Sequence, residues 1–271
     1  ALGAPVLALA ARGRAGLLVA GSVDALPPGE VGGLPRIHAN MAPAVPERQM
    51  LENANLVLER LGGAPLATPG ALLLGDHTLV YGLAQIDSYA ALRTAPAIGP
   101  LLAMPSPVTP AARPVMTAIL DVHFPFIETL VLALTDFGQT PVNVHIRGIT
   151  RPMRAYLSQT PGVVVHETVA EAMETIADAS FVLHHGGARV AAHAMALGVP
   201  QTLMPHSFEQ GIIADMLQRA NAGTRLAIGT DPVPLADGLG QLFRNLESTQ
   251  NAQPAARQIA LNPPSPALPV L

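Results

Sequence analysis

The 271-residue chain contains no cysteine, which excludes a disulfide framework and any thiolate-ligated metal centre. That absence leaves the compartment undetermined, with the cytoplasm as the default. Charge is scarce as well: charged residues make up 13% of the chain against 49% hydrophobic ones. Such a composition supplies ample apolar material for a core and does not describe a disordered chain. The net charge is −4, so a broad electrostatic attraction to nucleic acid is not expected. Lysine is missing altogether. All fifteen basic residues are arginines, and together with abundant Ala, Gly and Pro this fits a GC-rich coding bias better than a functional demand. No apolar run reaches the ~18 residues of a membrane-spanning helix, because glycine, proline or charge interrupts each one. No charged region precedes the apolar N-terminal stretch, so no signal peptide is expected.

What the chain does have is concentrated in residues 181–210. Phe181, Val182 and Leu183 read as a buried strand that meets His184, His185, Gly186 and Gly187, and an alanine-rich helix starts near Ala188. That helix is expected to stop at Gly198, with Pro200 just beyond. A second strand, Gln201–Met204, runs into Pro205, and Glu209 and Gln210 open the next helix. Two glycines before a helix let the backbone approach a ligand closely, and the free N–H groups at the helix start favour negative charge. His184 and Arg189 flank that turn and are candidate donors to a phosphate. A plain strand-to-helix turn with a satisfied histidine pair explains the glycines equally well. The second polar turn at Glu209–Gln210 favours a ligand, since successive turns of this kind in a parallel sheet open on one edge.

As a set, these residues resemble the donor-binding half of nucleotide-sugar glycosyltransferases with two Rossmann-like domains, the macrolide and UDP-glycosyltransferase-like superfamily (GT-B fold). The family pattern H-H-G-G-x-G-T, helix, G-V-P, strand, P-x-x-x-[DE]-Q is matched by His184, His185, Gly186 and Gly187, then Gly198, Val199 and Pro200, then Pro205 with Glu209 and Gln210. The resemblance implies that His184, Gly186, Gly187, Ala188 and Arg189 hold the donor diphosphate. It implies too that Glu209 and Gln210 hold its sugar, and that Glu167 and Thr168 occupy the turn that grips the base. Where the family has Gly-Thr this chain has Arg189 and Val190, so a guanidinium stands where a hydroxyl is expected. The likeness extends more loosely over about residues 70–246.

Along the chain the order is consistent with that reading. Residues 1–20 give one or two apolar segments, and Asp24–Arg36 a loop. A helix is expected over Pro46–Leu61, with Met50, Ala54, Val57, Leu58 and Leu61 on one face. Leu72–Leu74 and Thr78–Tyr81 read as short strands, and His38 and His77 as loop histidines. Residues 100–114 are proline-rich and aperiodic, a linker by composition. Strands then alternate with helices. The strands are Val115–Leu120, Val142–Ile146, Val163–His166, the two in the focal stretch, and Thr224–Ala227. The helices are Ile127–Phe137, Arg151–Ser158, Val169–Ala177 (opened by a capping box of Thr168 with Glu171), Phe208–Ala220 and Leu235–Leu246. That alternation implies a parallel sheet with right-handed crossovers. The expected organisation is therefore α/β with two Rossmann-like domains: 1–100 an incomplete N-terminal acceptor-side domain, 101–114 the linker, 115–248 the donor-binding domain, and 249–271 a proline-rich tail.

Other polar residues have two readings each. Asp121 and His123 follow the first strand of the second domain and read first as an exposed turn, with His123 near donor or acceptor as the alternative. Arg147 ends another strand on the same edge and is a minor candidate for a phosphate contact. His206 lies beside the sugar turn as a candidate for that site, His193 reads as a packing or surface residue, and Asp231–Pro232 as a helix cap. The chemistry the resemblance implies is displacement at an anomeric carbon, with inversion, by a hexosyltransferase of bacterial natural-product type using UDP or TDP sugar as co-substrate. No cofactor or metal is expected, because helix N–H groups and cationic side chains can stabilise the leaving charge and no carboxylate cluster is visible. The family's catalytic histidine has no match, so the base is expected outside this chain, which reads as a fragment or a shortened relative. The acceptor is expected to be small and, from the apolar first domain, lipophilic. No nucleic-acid partner and no transmembrane segment are expected, and a homodimer is left open. A non-catalytic nucleotide- or partner-binding relative is the main alternative, and a sugar-nucleotide 2-epimerase a third.

Overall fold

The computed structural model describes residues 18–20, 36–39, 47–73, 78–81, 83–88, 90–92, 97, 105–108, 115–135 and 140–226. It divides into two compact units, residues 1–103 with 264–271 and residues 104–263. The loop at 24–35, His77, most of the linker, the helix expected at Leu235–Leu246, Asp231–Pro232 and the proline-rich tail lie outside the described residues.

In the first unit three short strands, β1 (Leu18–Ala20), β2 (Arg36–Ala39) and β3 (Thr78–Tyr81), pair in parallel in the order β1-β2-β3. His38 therefore sits in a strand and not in a loop: Ile37 pairs with Val19 on one side and Leu79 on the other, which fixes its neighbour in the ladder. Helix α1 (Glu47–Arg60) forms where the apolar spacing predicts it. Asn55 on α1 clamps the following loop, its Nδ2 donating to the Leu66 carbonyl at 3.1 Å and its Oδ1 accepting from the Leu66 amide at 2.7 Å. Of the strand expected at Leu72–Leu74, Leu72 and Leu73 are instead part of a 3-10 helix, Pro69–Leu73, and Leu74 lies outside the described residues. Pro69 presets a helical φ, the Ala71 amide closes the turn on the Thr68 carbonyl, and three consecutive leucines give no alternation to favour a pleat.

The second unit is a six-stranded sheet. Its strands are β4 (Met116–Asp121), β5 (Val142–Arg147), β6 (Val163–Val165), β7 (Phe181–His184), β8 (Gln201–Leu203) and β9 (Gly223–Arg225), all parallel, in the order β6-β5-β4-β7-β8-β9. Between them run α2 (Ile127–Thr135), α3 (Arg151–Gln159), α4 (Val169–Glu174), α5 (Ala188–Leu197) and α6 (Phe208–Arg219). The expected capping box is present: the Thr168 hydroxyl accepts from the Glu171 amide, and the Glu171 carboxylate accepts from the Thr168 amide. Alternation along the strands sorts the core. Met116, Ala118, Leu120, Val144, Ile146 and Leu183 pack on one face with α2 and α3, while Ile119 and Val182 pack on the other with Val190, Ala194 and Leu197 of α5. Burying a Leu or Ile side chain is worth roughly 1.5–3 kcal/mol, so these two faces hold the domain together.

The strand order fixes where ligands are expected. The chain runs outward from β4 through β5 to β6, then returns to β7 on the opposite side of β4 and runs outward again to β9. The reversal places a switch point between the carboxyl ends of β4 and β7, where loops leave in opposite directions and open a crevice.

Candidate donor site at the carboxyl edge of the sheet

Asp121 ends β4 and His184 ends β7, so the residues singled out from sequence converge on that switch point. The glycine turn follows β7. Gly186 is buried at φ +98°, and a Cβ there would stand 2.8 Å from the Gln210 carbonyl oxygen. Only glycine lets the β7–α5 turn lie against the start of α6. Gly187 is exposed, and a Cβ built on it meets nothing within 4 Å. It is the N-cap of α5 and offers no side-chain cap, so the first amides of that helix receive no hydrogen bond from the N-cap side chain. Arg189 is exposed and makes no ion pair among the described residues. An uncapped helix start beside open space, with an exposed guanidinium next to it, makes this turn a candidate anion-binding cradle.

His184 stands apart from that cradle, which corrects the expectation that it donates to a phosphate. Val182 and His184 share the sheet face that carries α5, and the ring is 1% exposed. Its Nε2 donates to Gln201 Oε1 at 2.9 Å and its Nδ1 accepts from the Gly186 amide at 3.1 Å, while Gln201 Nε2 donates to the Ala191 carbonyl at 3.2 Å. Both ring nitrogens are used, and burial, with His185 adding repulsion, holds the ring's pKa down to about 4. His184 is a neutral internal brace that fixes the glycine turn from behind.

His185 braces the other side. Its Nδ1 donates to the Met204 carbonyl at 2.9 Å and its Nε2 accepts from the Asp121 amide at 3.1 Å, bridging the ends of β4, β7 and β8. Burial lowers its pKa to about 4. The ring packs on buried Phe124 at 4.9 Å and meets His206 edge-on at 4.6 Å between centroids. His206 is exposed, with its amide donating to Gln210 Oε1 at 2.9 Å; partial burial lowers its pKa. Glu209 is half-buried and its carboxyl is shifted upward by burial. Ser207 caps α6 by accepting from the Gln210 amide.

Asp121 departs most from the sequence reading, being a buried strand residue and not an exposed turn. It is the register partner of Arg147 across β4 and β5. Its Oδ2 accepts from Arg147 Nε at 2.7 Å and from Arg147 Nη2, and its Oδ1 accepts from both the amide and the Nδ1 of His123 at 2.9 Å. Burial pushes the carboxyl upward, but these donors outweigh it and hold it well below the usual carboxylate range. Arg147 and His123 both bond Asp121, and both keep their side chains largely exposed, at 80% and 86%. The one signal in the sequence was the D-x-H spacing after a buried strand.

The expected base-binding turn is occupied by its own hydrogen bonds. The Glu171 carboxylate accepts from the amides of Glu167 and Thr168, and Glu167 pairs with Arg154. Those two amides are satisfied internally by the capping box, so any grip on a base there falls to other atoms of the turn. His193 is half-buried and bonded to the Met173 backbone, in keeping with a packing role. Among the described residues no group of three or more His, Asp or Glu side chains is arranged to hold a metal ion, and no helix is long and apolar enough to cross a membrane.

Comparison with solved structures places this architecture. The chain superimposes on the glycosyltransferase VinC in complex with DTDP with a TM-score of 0.61 at 17% identity, covering 97% of this chain and 72% of that one. It matches SsfS6, a glycosyltransferase of Streptomyces sp. SF2575, with a TM-score of 0.60 at 17% identity, over 96% of this chain and 68% of that one. The spinosyn rhamnosyltransferase SpnG complexed with thymidine diphosphate gives 0.57 at 19% identity, over 84% of this chain and 64% of that one. The chain thus spans roughly two thirds of the length of these proteins. No family model matches it, and no curated protein matches it in sequence. The fold is the α/β fold of the GT-B natural-product glycosyltransferases.

Proposed function

We propose that the chain is the larger part of a glycosyltransferase that transfers a sugar from a nucleoside-diphosphate donor to a small, lipophilic acceptor. The observation that carries this reading is the uncapped start of α5 at the sheet's switch point, with Gly187 facing open space and Arg189 unpaired beside it. The solved neighbours with DTDP or thymidine diphosphate support the choice of a diphosphate, with TDP and UDP as first probes. In the transfer, negative charge collects on the leaving diphosphate, and the amides of Gly187, Ala188 and Arg189 with the Arg189 guanidinium would stabilise it. Glu209 and Gln210, at the neighbouring turn, are assigned to the sugar hydroxyls, and the backbone around Glu167 and Thr168 to the base. His184 belongs to this site as the brace of its turn. Inversion, a cytoplasmic location, a base supplied from outside the described residues, and a donor that serves as co-substrate without a further cofactor are parts of the same reading.

Calorimetric titration of the chain with TDP, UDP and GDP tests it. Binding of one of them that weakens about tenfold in Arg189→Ala, and weakens further with salt, is the expected result. No binding of any of the three by the wild-type chain would remove the donor site. A second reading, a non-catalytic nucleotide-binding relative, is favoured by the internal commitment of both His184 nitrogens. It predicts that a bound TDP- or UDP-sugar is neither hydrolysed nor transferred.

A further inference from the structure

Asp121 and His123 form a pair that the phosphate cradle does not use. The Asp121 side chain is 7% exposed and the His123 side chain 86%. Four donors converge on the carboxylate: the amide and ring of His123 and two nitrogens of Arg147. They keep it ionised despite its burial. Because the carboxylate accepts from Nδ1–H of His123, the tautomer is fixed and Nε2 is the nitrogen the exposed ring presents to solvent. A second contact ties this pair to the glycine turn. The Asp121 amide donates to Nε2 of His185, the residue that precedes Gly186 and Gly187. The dyad therefore stands on the same sheet edge as the cradle, across the β4–β7 switch point.

We propose that Asp121 and His123 form an acid–base dyad in which His123 donates from Nε2 to an oxygen of the diphosphate, with Asp121 as its positioning residue. This rests on the glycosyltransferase reading. During transfer, the bond from the anomeric carbon to the diphosphate oxygen breaks and its electron pair stays on that oxygen. The acceptor oxygen forms the new bond to carbon and releases its proton to a base or to water. The Nε2 proton of the His123 imidazolium goes to the diphosphate oxygen. The placement favours the leaving group over the acceptor, since a base activating an in-line nucleophile works from the opposite side of the sugar. The groups near the ring are Asp121 on β4, which bonds it, Arg147 at the end of β5, which shares that carboxylate, and the imidazole of His206 after β8.

Titration calorimetry with TDP and UDP near pH 7.5, in two buffers of different ionisation heat, counts the protons taken up on binding. The wild-type chain is expected to take up a fraction of a proton per diphosphate. His123→Gln keeps an exposed polar side chain and is expected to bind about tenfold more weakly, with that uptake abolished. Asp121→Asn is expected to reduce the uptake while the melting temperatures of both variants confirm that they fold. Proton uptake in His123→Gln equal to that of the wild type would overturn the dyad, whatever the affinity, and leave the donor site standing. If neither diphosphate binds the wild-type chain, the donor-site reading falls and takes the dyad with it.

Discussion

Gly186 and Gln210 stand so close that a methyl group on the first would lie 2.8 Å from the carbonyl oxygen of the second. This contact binds the turn after β7 to the start of α6, so the two polar turns of the candidate site form one backbone unit. Gly187, one residue on, faces open space. The two glycines therefore answer different demands, and the first is a packing requirement.

Alanine substitution separates them. Gly186→Ala combines a clash with backbone and a left-handed φ, and is expected to lower stability by about 2 kcal/mol or more. Gly187 has an ordinary φ of −64°. Gly187→Ala is expected to melt within a few degrees of the wild type while weakening TDP or UDP binding, because its methyl occupies the cradle. Equal melting temperatures for both variants would contradict the packing role of Gly186.

Stability should fall on mild acidification. The pKa values of His184 and His185 are about 4 in the folded chain, against about 6.5 for an unfolded histidine. Between those values the unfolded chain binds more protons, so folding stability rises with pH and is lost as pH drops from about 6.5 towards 4. At pH 5.5 each ring is expected to cost roughly 1 kcal/mol relative to pH 7.5, read as a lower urea midpoint. Replacing His185 should shrink that difference, and an unchanged pH dependence would show that the rings charge without unfolding.

Gln201 closes the internal polar chain, accepting from His184 and donating to the Ala191 carbonyl. Gln201→Met keeps the volume and leaves the buried Nε2–H of His184 without its acceptor. The expected loss is about 1–3 kcal/mol. Diphosphate affinity should also drop, since the His184 ring that receives the Gly186 amide loses its anchor. Thermal unfolding and the TDP titration check the two effects separately.

The elements of the second unit were legible because each carries its own local signal. Strands of buried apolar residues, the Thr168–Glu171 capping box and the Gly198 stop are all written within a few residues of where they act, and the structure forms them there. The short strands of the first unit were less legible. Pro69 turned Leu72 and Leu73 into a helical turn, and His38 was drawn into a ladder by partners far along the chain.

By itself the sequence determined the period of its elements, the parallel architecture that follows from their alternation, and the glycine turn at a helix start, since all of these depend on neighbours in the chain. The tertiary structure alone decided which way the polar residues face. Strand alternation against the α5 face buried His184 behind the turn it was expected to serve, and the register of β4 with β5 set Asp121 opposite Arg147, 26 residues away. Neither outcome can be read from spacing, because burial and pairing depend on which strands become neighbours and in which register. That is fixed only when the sheet closes around its core.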